Sequence, residues 1–123
     1  MTTRITGRWG ESVAAEYLRK KHCRIIAANY STRLGEIDII AEDRSYLIFA
    51  EVKVRKSADY GRAAEFVDAN KRKRLISTAL LWLSENETTK QPRFDVIEIY
   101  APQGTQTKRP VINHIENAFG AEM

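Results

Sequence analysis

The stretch that most constrains this chain is residues 34–55, where two apolar runs, 37–41 and 46–54, flank a polar break at 42–45. β-Branched and aromatic residues bounded by turn formers predict a β-hairpin. Three charged residues, Asp38, Glu51 and Lys53, sit inside these strands. Charges there are costly to bury unless they are paired or bound to a metal.

Strand side chains alternate, so Glu36, Asp38 and Ile40 share one face of the first strand. Leu47, Phe49, Glu51, Lys53 and Arg55 share one face of the second. A two-residue loop at Asp43 and Arg44 sets Glu42 opposite Ser45, Asp38 opposite Phe49 and Glu36 opposite Glu51. Ile37, Ile39 and Ala41 then meet Ala50, Ile48 and Tyr46 on an apolar face. In this register Asp38 and Glu51 are diagonal neighbours, roughly 7–8 Å apart, within reach of one bridging ion. A one-residue slip would separate them to opposite faces.

Two converging carboxylates repel, and a hard, oxygen-preferring cation such as Mg²⁺ or Mn²⁺ relieves that. Lys53 lies on the Glu51 face, two residues on, where an ammonium can hold a phosphate oxygen or orient a water. These residue types suit metal-assisted phosphodiester hydrolysis. They equally suit a lysine–carboxylate pair on a solvated sheet face, since charge on an edge strand guards against aggregation. Residue types alone leave both readings open.

Asp38, twelve intervening residues, and Glu51-Val52-Lys53 resemble the Asp…Glu-X-Lys core of the PD-(D/E)XK nuclease superfamily, with a spacing similar to that of archaeal Holliday-junction resolvases. The segments Gly35-Glu36-Ile37-Asp38-Ile39-Ile40-Ala41 and Phe49-Ala50-Glu51-Val52-Lys53-Val54-Arg55 also resemble the bacterial UPF0102 (YraN-like) family. Ile37 stands where the superfamily commonly has Pro, a departure that YraN-like sequences share. The resemblance covers about residues 7–100. It implies an α/β, restriction-endonuclease-like core: a mixed central β-sheet flanked by helices. It also implies a Mg²⁺- or Mn²⁺-dependent endonuclease with Asp38 and Glu51 as metal ligands and Lys53 as a catalytic residue. In resolvase-like nucleases a glutamate of the N-terminal helix joins the metal site. By its place after the glycines of Gly7-Arg8-Trp9-Gly10, Glu11 is the match, with Glu16 its rival. Resolvases cut two strands symmetrically, so the resemblance also implies a homodimer.

A chain of 123 residues, 43% hydrophobic, suits one compact domain with a core. A net charge of +4 and pI of about 9.3 suit an anionic partner. Cys23 is the single cysteine, so no internal disulfide forms and a reducing cytoplasm is expected; its expected role is a small buried apolar residue. His22 and His114 are isolated, and structural or surface roles are expected for both. No apolar run approaches the length of a membrane span.

In chain order, residues 1–6 are expected to be a mobile tail. A helix follows from Arg8 or Gly10 to Lys21, with Trp9, Val13 and Tyr17 beside Ala14 and Leu18 forming the apolar stripe. A strand is expected over 24–29 and a polar loop over 29–33, from which Tyr30 and Arg33 would contact nucleic acid. After the hairpin come a turn near Tyr60-Gly61 and a short element over 63–67. A second helix runs from about Asp68 to Asn86, capped by Asp68 or Asn70 and burying Leu75, Ile76, Ala79, Leu80 and Leu83. Strands over 93–100 and 111–115 and a tail over 116–123 complete the chain. Asp95 is expected to pair with Arg93 or to support the site.

The run Lys71-Arg72-Lys73-Arg74 is the clearest electrostatic feature. Four cations at the positive end of a helix lack a stability motive, and phosphate contact supplies one. Lys71 and Arg72 fall nearer the core side and reach the site rim; Lys73 and Arg74 project outward. With Arg55, Arg33 and Tyr30 they make the expected nucleic-acid surface, DNA being the expected partner. Two other readings remain. One is a nucleic-acid-binding module in repair or processing that keeps the fold without turnover. The other is an interaction protein whose strand acids pair with nearby lysines and arginines.

Overall fold

In a computed structural model of the protein, residues 3–56 and 68–120 are described. The elements run α1 (Thr3–Lys20), β1 (Arg24–Thr32), β2 (Gly35–Glu42), β3 (Tyr46–Arg55), α2 (Ala69–Glu85), β4 (Gln91–Tyr100) and β5 (Val111–Phe119), with one 3-10 turn at Gly104–Gln106. The five strands form one sheet in the order β1-β2-β3-β4-β5. Neighbours are antiparallel except β3 and β4, which are parallel and are joined through α2, as a parallel pair requires a crossover. This is the expected α/β, restriction-endonuclease-like arrangement.

The helices cover opposite faces. On the α2 side Leu75, Ala79 and Trp82 pack with Ile37, Ile40, Leu47, Phe49, Phe94 and Val96. On the α1 side Ala14 and Leu18 pack with Ile39, Ala41, Ile48, Ala50, Ile97 and Ile99. Having both faces covered explains why β4 is buried continuously from Arg93 to Ile99. Among the described residues, no helix is long and apolar enough to cross a membrane.

Several boundaries differ from expectation. Helix α1 begins at Thr3, inside the expected tail. β1 continues through Thr32, so the loop expected over 29–33 shrinks to a turn at Arg33 and Leu34. Polar residues on an edge strand read as a loop in sequence, yet they pair here with β2, and the Thr32 hydroxyl accepts the Leu34 N–H at 3.0 Å. In α2 Leu80 is 58% exposed and Trp82 is buried in its place, because Leu75, Ala79 and Trp82 follow the i, i+4, i+7 spacing of one helix face. β5 extends to Phe119, whose ring stacks on Phe94 at 5.2 Å. The turn and short element expected over 57–67 lie outside the described residues.

The hairpin register differs from the expected one by two residues. Glu42 pairs with Leu47, Ala41 with Ile48, Ile40 with Phe49 and Ile39 with Ala50. The loop is longer because Asp43 organises it: its Oδ1 accepts the N–H groups of Ser45 and Tyr46 at 2.9 and 2.8 Å, and its own N–H donates to the Tyr46 carbonyl at 3.1 Å. A shift of two preserves each strand's faces. Ile37 nevertheless packs with Ile40 rather than with Ile39, so strict alternation breaks at Asp38.

Candidate active site

The β2–β3 ladder ends at Ile39 and Ala50. One step further along this register Asp38 comes opposite Glu51, rather than diagonal to it. Asp38 Oδ2 accepts the Val52 N–H at 2.8 Å, so the carboxylate takes the place of a ladder partner and is aimed across at β3. Glu51 is buried. Burial, the Glu51 carboxylate and the more distant Glu11 together push the Asp38 carboxyl up to about 7, against the Val52 N–H, which favours the charged form.

Two ammonium groups converge on one oxygen of this pair. Glu51 Oε1 lies 3.3 Å from Lys53 Nζ and 2.5 Å from Lys71 Nζ. The Lys53 pKa is pushed down by burial and by the neighbouring Lys71 ammonium. The Lys71 pKa is raised: burial is the largest single influence and lowers it, but the bond to Glu51, the neighbouring Lys53 and the charges of Glu51 and Asp38 together outweigh it. Lys71 is placed by the start of α2, where Asp68 is the N-cap and its carboxylate accepts the Lys71 N–H at 2.8 Å.

Helix α1 brings Glu11 to the same place. Its approach depends on Gly10, where a Cβ would lie 2.5 Å from Val54 Cγ2 on β3. Glu11 lines a cavity of about 800 Å³ with Asp38, Glu51, Lys53 and Arg55. Glu16 does not: it is exposed and lies 3.8 Å from Arg19. Among the described residues, no three His, Cys, Asp or Glu side chains stand close enough to hold a metal ion together. The closely placed acids are therefore Asp38 and Glu51, with Glu11 on the cavity wall. A half-buried and a buried carboxylate side by side, the first driven toward its neutral form by burial and then by the second, are a donor set that fits a hard divalent cation, since Mg²⁺ is commonly held by one or two protein carboxylates with water and phosphate oxygens in the remaining positions.

The residues expected to meet nucleic acid divide. Lys71 and Arg72 are half-buried and Lys73 and Arg74 exposed, as the helix geometry predicts. Arg55 lines the cavity, its Nε 3.4 Å from Glu98 Oε2. Arg33 sits exposed in the β1–β2 turn, away from the cavity. Tyr30 points elsewhere: its hydroxyl donates to Glu85 Oε1 at 3.4 Å, and Glu85 lies fourteen residues from Lys71 along α2, about 21 Å.

The sequence model of the uncharacterised protein family UPF0102 matches residues 10–99. The chain belongs to the UPF0102 family. It is 41% identical over 117 residues to a UPF0102 protein of Pelotomaculum thermopropionicum, covering 94% of this chain and 96% of that one. It is 42% identical over 120 residues to a UPF0102 protein of Clostridioides difficile, covering 97% of this chain and 100% of that one.

Two parts of this UPF0102 protein carry buried charge that the motif does not contain. Glu98 on β4 is fully buried; besides Arg55 it accepts from the Tyr100 hydroxyl and, at 3.4 Å, from Asn113 Nδ2, and it pairs in register with Lys53. An acid inside the run Val96-Ile97-Glu98-Ile99 was a readable signal, the same one that marks Asp38. Asp95 is also buried; it takes a bidentate bond from Arg93, with both distances 2.9 Å, and bonds from His114 Nε2 at 2.7 Å and the Asn117 N–H at 3.0 Å. It therefore pairs with Arg93, one of the two expected roles. The other nitrogen of His114 meets the Tyr17 hydroxyl at 3.0 Å, so β5 is tied to α1 through His114.

Proposed function

We propose that this UPF0102 protein is a divalent-metal-dependent endonuclease that hydrolyses phosphodiester bonds of structured or branched DNA. The observation that carries the reading is the close pairing of half-buried Asp38 with buried Glu51, with Lys53 on the Glu51 oxygen. A fold with no use for a cation there would gain by replacing two repelling acids with apolar residues. Asp38 and Glu51 would hold Mg²⁺ or Mn²⁺, with Glu11 completing or tuning the set. When bound, the ion lowers the pKa of a water and offsets charge on the phosphate. Lys53 stabilises charge on a phosphate oxygen or positions the water. The Val52 N–H keeps Asp38 turned toward the site. Cutting both strands of a branch takes two copies of the site, so the reading carries a homodimer with it.

The test is cleavage of a labelled panel (four-way junction, flap, linear duplex, single strand) in Mg²⁺ or Mn²⁺, wild type beside Asp38→Ala. Cutting by wild type alone is expected. A second reading, a DNA-binding module without turnover, is favoured by the lack of a third close carboxylate among the described residues. It predicts DNA binding that survives Asp38→Ala and no cutting by either protein. Equal cutting by both would remove the site from the explanation.

A further inference from the structure

Asp38 and Glu51 line two cavities, and among the described residues they are the ones the two share. The second, about 410 Å³, lies on the α2 side of the pair, between the β1–β2 turn and the start of α2, with Ser31, Glu36, Lys71 and Arg74 among its walls. The carboxylate pair thus forms a wall common to two clefts. A polynucleotide strand whose reacting phosphate lies against that wall has a path into both.

Lys71 and Arg74 are three residues apart on α2, which places them on one helix face with Cβ atoms about 5–6 Å apart, the scale on which phosphates follow one another along a strand. Lys71 is occupied by Glu51. Arg74 is exposed and, among the described residues, makes no ion pair. Its backbone is fixed: the carbonyl accepts the Thr78 hydroxyl at 2.7 Å. Gly35 packs so closely on this turn that a Cβ there would meet Thr78 Oγ1 at 2.9 Å and the Arg74 Cβ and carbonyl at 3.3 Å. The cleft wall is therefore held rigidly while its guanidinium is free to take a ligand.

We propose that the smaller cleft is a phosphate subsite, in which Arg74, with Lys71 beside it, grips the backbone phosphate next to the one lying over Asp38 and Glu51. The inference rests on the nuclease reading and adds to it the path of the strand. A guanidinium offers two parallel donors to a phosphate, the geometry this role needs. The charge balance adds a condition. With the pair bare, the acids of the cleft (Asp38, Glu51, Glu36) offset its two cations even while Asp38 holds its proton; a divalent ion on the pair leaves the cleft net positive. Phosphate binding in the cleft therefore depends on the divalent ion.

Binding of a labelled synthetic four-way DNA junction, measured by anisotropy over a salt series in Ca²⁺ and again in EDTA, tests this with wild type, Arg74→Gln and, as a control, Arg44→Gln in the exposed β2–β3 turn, at the other end of the hairpin from Asp38 and Glu51. Arg74→Gln is expected to weaken binding about five- to tenfold in Ca²⁺ and to reduce the slope of log affinity against log salt by about 1, the loss of one phosphate contact. The loss should be much smaller in EDTA, and Arg44→Gln should leave the slope unchanged. Single methylphosphonates walked along the cut strand should weaken wild-type binding at the phosphate beside the cut and have no effect there on Arg74→Gln. Wild-type affinity and slope for Arg74→Gln, with wild type still cutting, would overturn the subsite and leave the nuclease reading standing. No junction binding by wild type in Ca²⁺ would overturn both. Binding without cutting leaves the salt slope to decide the subsite alone.

Discussion

Lys71 reaches from the first turn of α2 to Glu51 Oε1 at 2.5 Å, on the same oxygen that Lys53 approaches at 3.3 Å. In the metal-free protein an ammonium thus neutralises a carboxylate to which the proposed function assigns a divalent ion. The two cations compete for one oxygen. Lys71→Met is therefore expected to bind Mn²⁺ more tightly than wild type by roughly three- to tenfold, the worth of a partly exposed ion pair, while binding DNA more weakly. Titration calorimetry with Mn²⁺ checks this; unchanged Mn²⁺ binding would show that Lys71 does not compete with the ion, and weaker binding that it supports the ion.

The Asp38 carboxyl gives a stability prediction with a definite sign. Its ordinary value is 3.8 and in the fold it stands at about 7, from burial first and Glu51 second. Between these values folded Asp38 keeps a proton that the unfolded chain has released, so stability falls as pH rises through the window and is flat above it. The full effect is on the order of 4 kcal/mol. Asp95 works in the opposite sense: burial is outweighed by its bonds to His114, Arg93 and the Asn117 N–H, which hold its pKa low, so its stabilisation is lost only on acidification. Asp38→Asn, which can still accept the Val52 N–H, removes the first effect alone. Without metal its Tm should exceed that of wild type increasingly from about pH 4 to about pH 7, and Mg²⁺ should narrow the gap by stabilising wild type only. A Tm difference independent of pH would show that Asp38 ionises without penalty.

The sequence carried the hairpin, both helices, the crossover and the cluster of Asp38, Glu51 and Lys53, because each leaves a local mark: a run of β-branched residues, a 3.6-residue stripe, an acid where apolar residues belong. What it hid was set by contacts distant in sequence. The register depends on Asp43 closing a longer loop than the two residues that apolar matching suggested. Tyr30 and Arg33 both looked like loop ligands, and only the length of β1 and the position of Glu85 separate their fates. The basic run was legible as a run, but that Lys71 would seat on Glu51 while Arg74 stayed without an ion-pair partner among the described residues depends on how α2 crosses the sheet.

Arg93 and Asp95 form a pair in which both side chains are almost wholly removed from solvent. Arg93 also lies over the Tyr46 ring at 4.6 Å and 3.2 Å from Glu116. Removing one partner of such a pair leaves a buried charge without compensation. Arg93→Met is expected to cost about 3–5 kcal/mol in urea unfolding, whereas His114→Phe, which leaves the bidentate bond intact, should cost less, about 1–3 kcal/mol. The reverse order would make His114, not Arg93, the main support of Asp95.

At Gly10 α1 packs closely against β3, and Glu11 is the next residue. A methyl group at position 10 would meet Val54 Cγ2 at 2.5 Å, and a β-branched valine in a strand has little rotamer freedom with which to yield. Gly10→Ala should therefore move α1 outward and destabilise the fold by about 1–3 kcal/mol, the usual effect of overpacking, even though alanine favours helix over glycine. If Glu11 tunes the metal set, Mn²⁺ affinity should fall together with stability. Val54→Ala supplies the missing space, so the double variant Gly10→Ala/Val54→Ala should recover much of both losses, with a coupling energy of about 0.5–3 kcal/mol in a double-mutant cycle. Recovery of stability without recovery of Mn²⁺ affinity would separate the packing of α1 from the placement of Glu11. Recovery of neither would show that the contact with Val54 is not what sets the helix position.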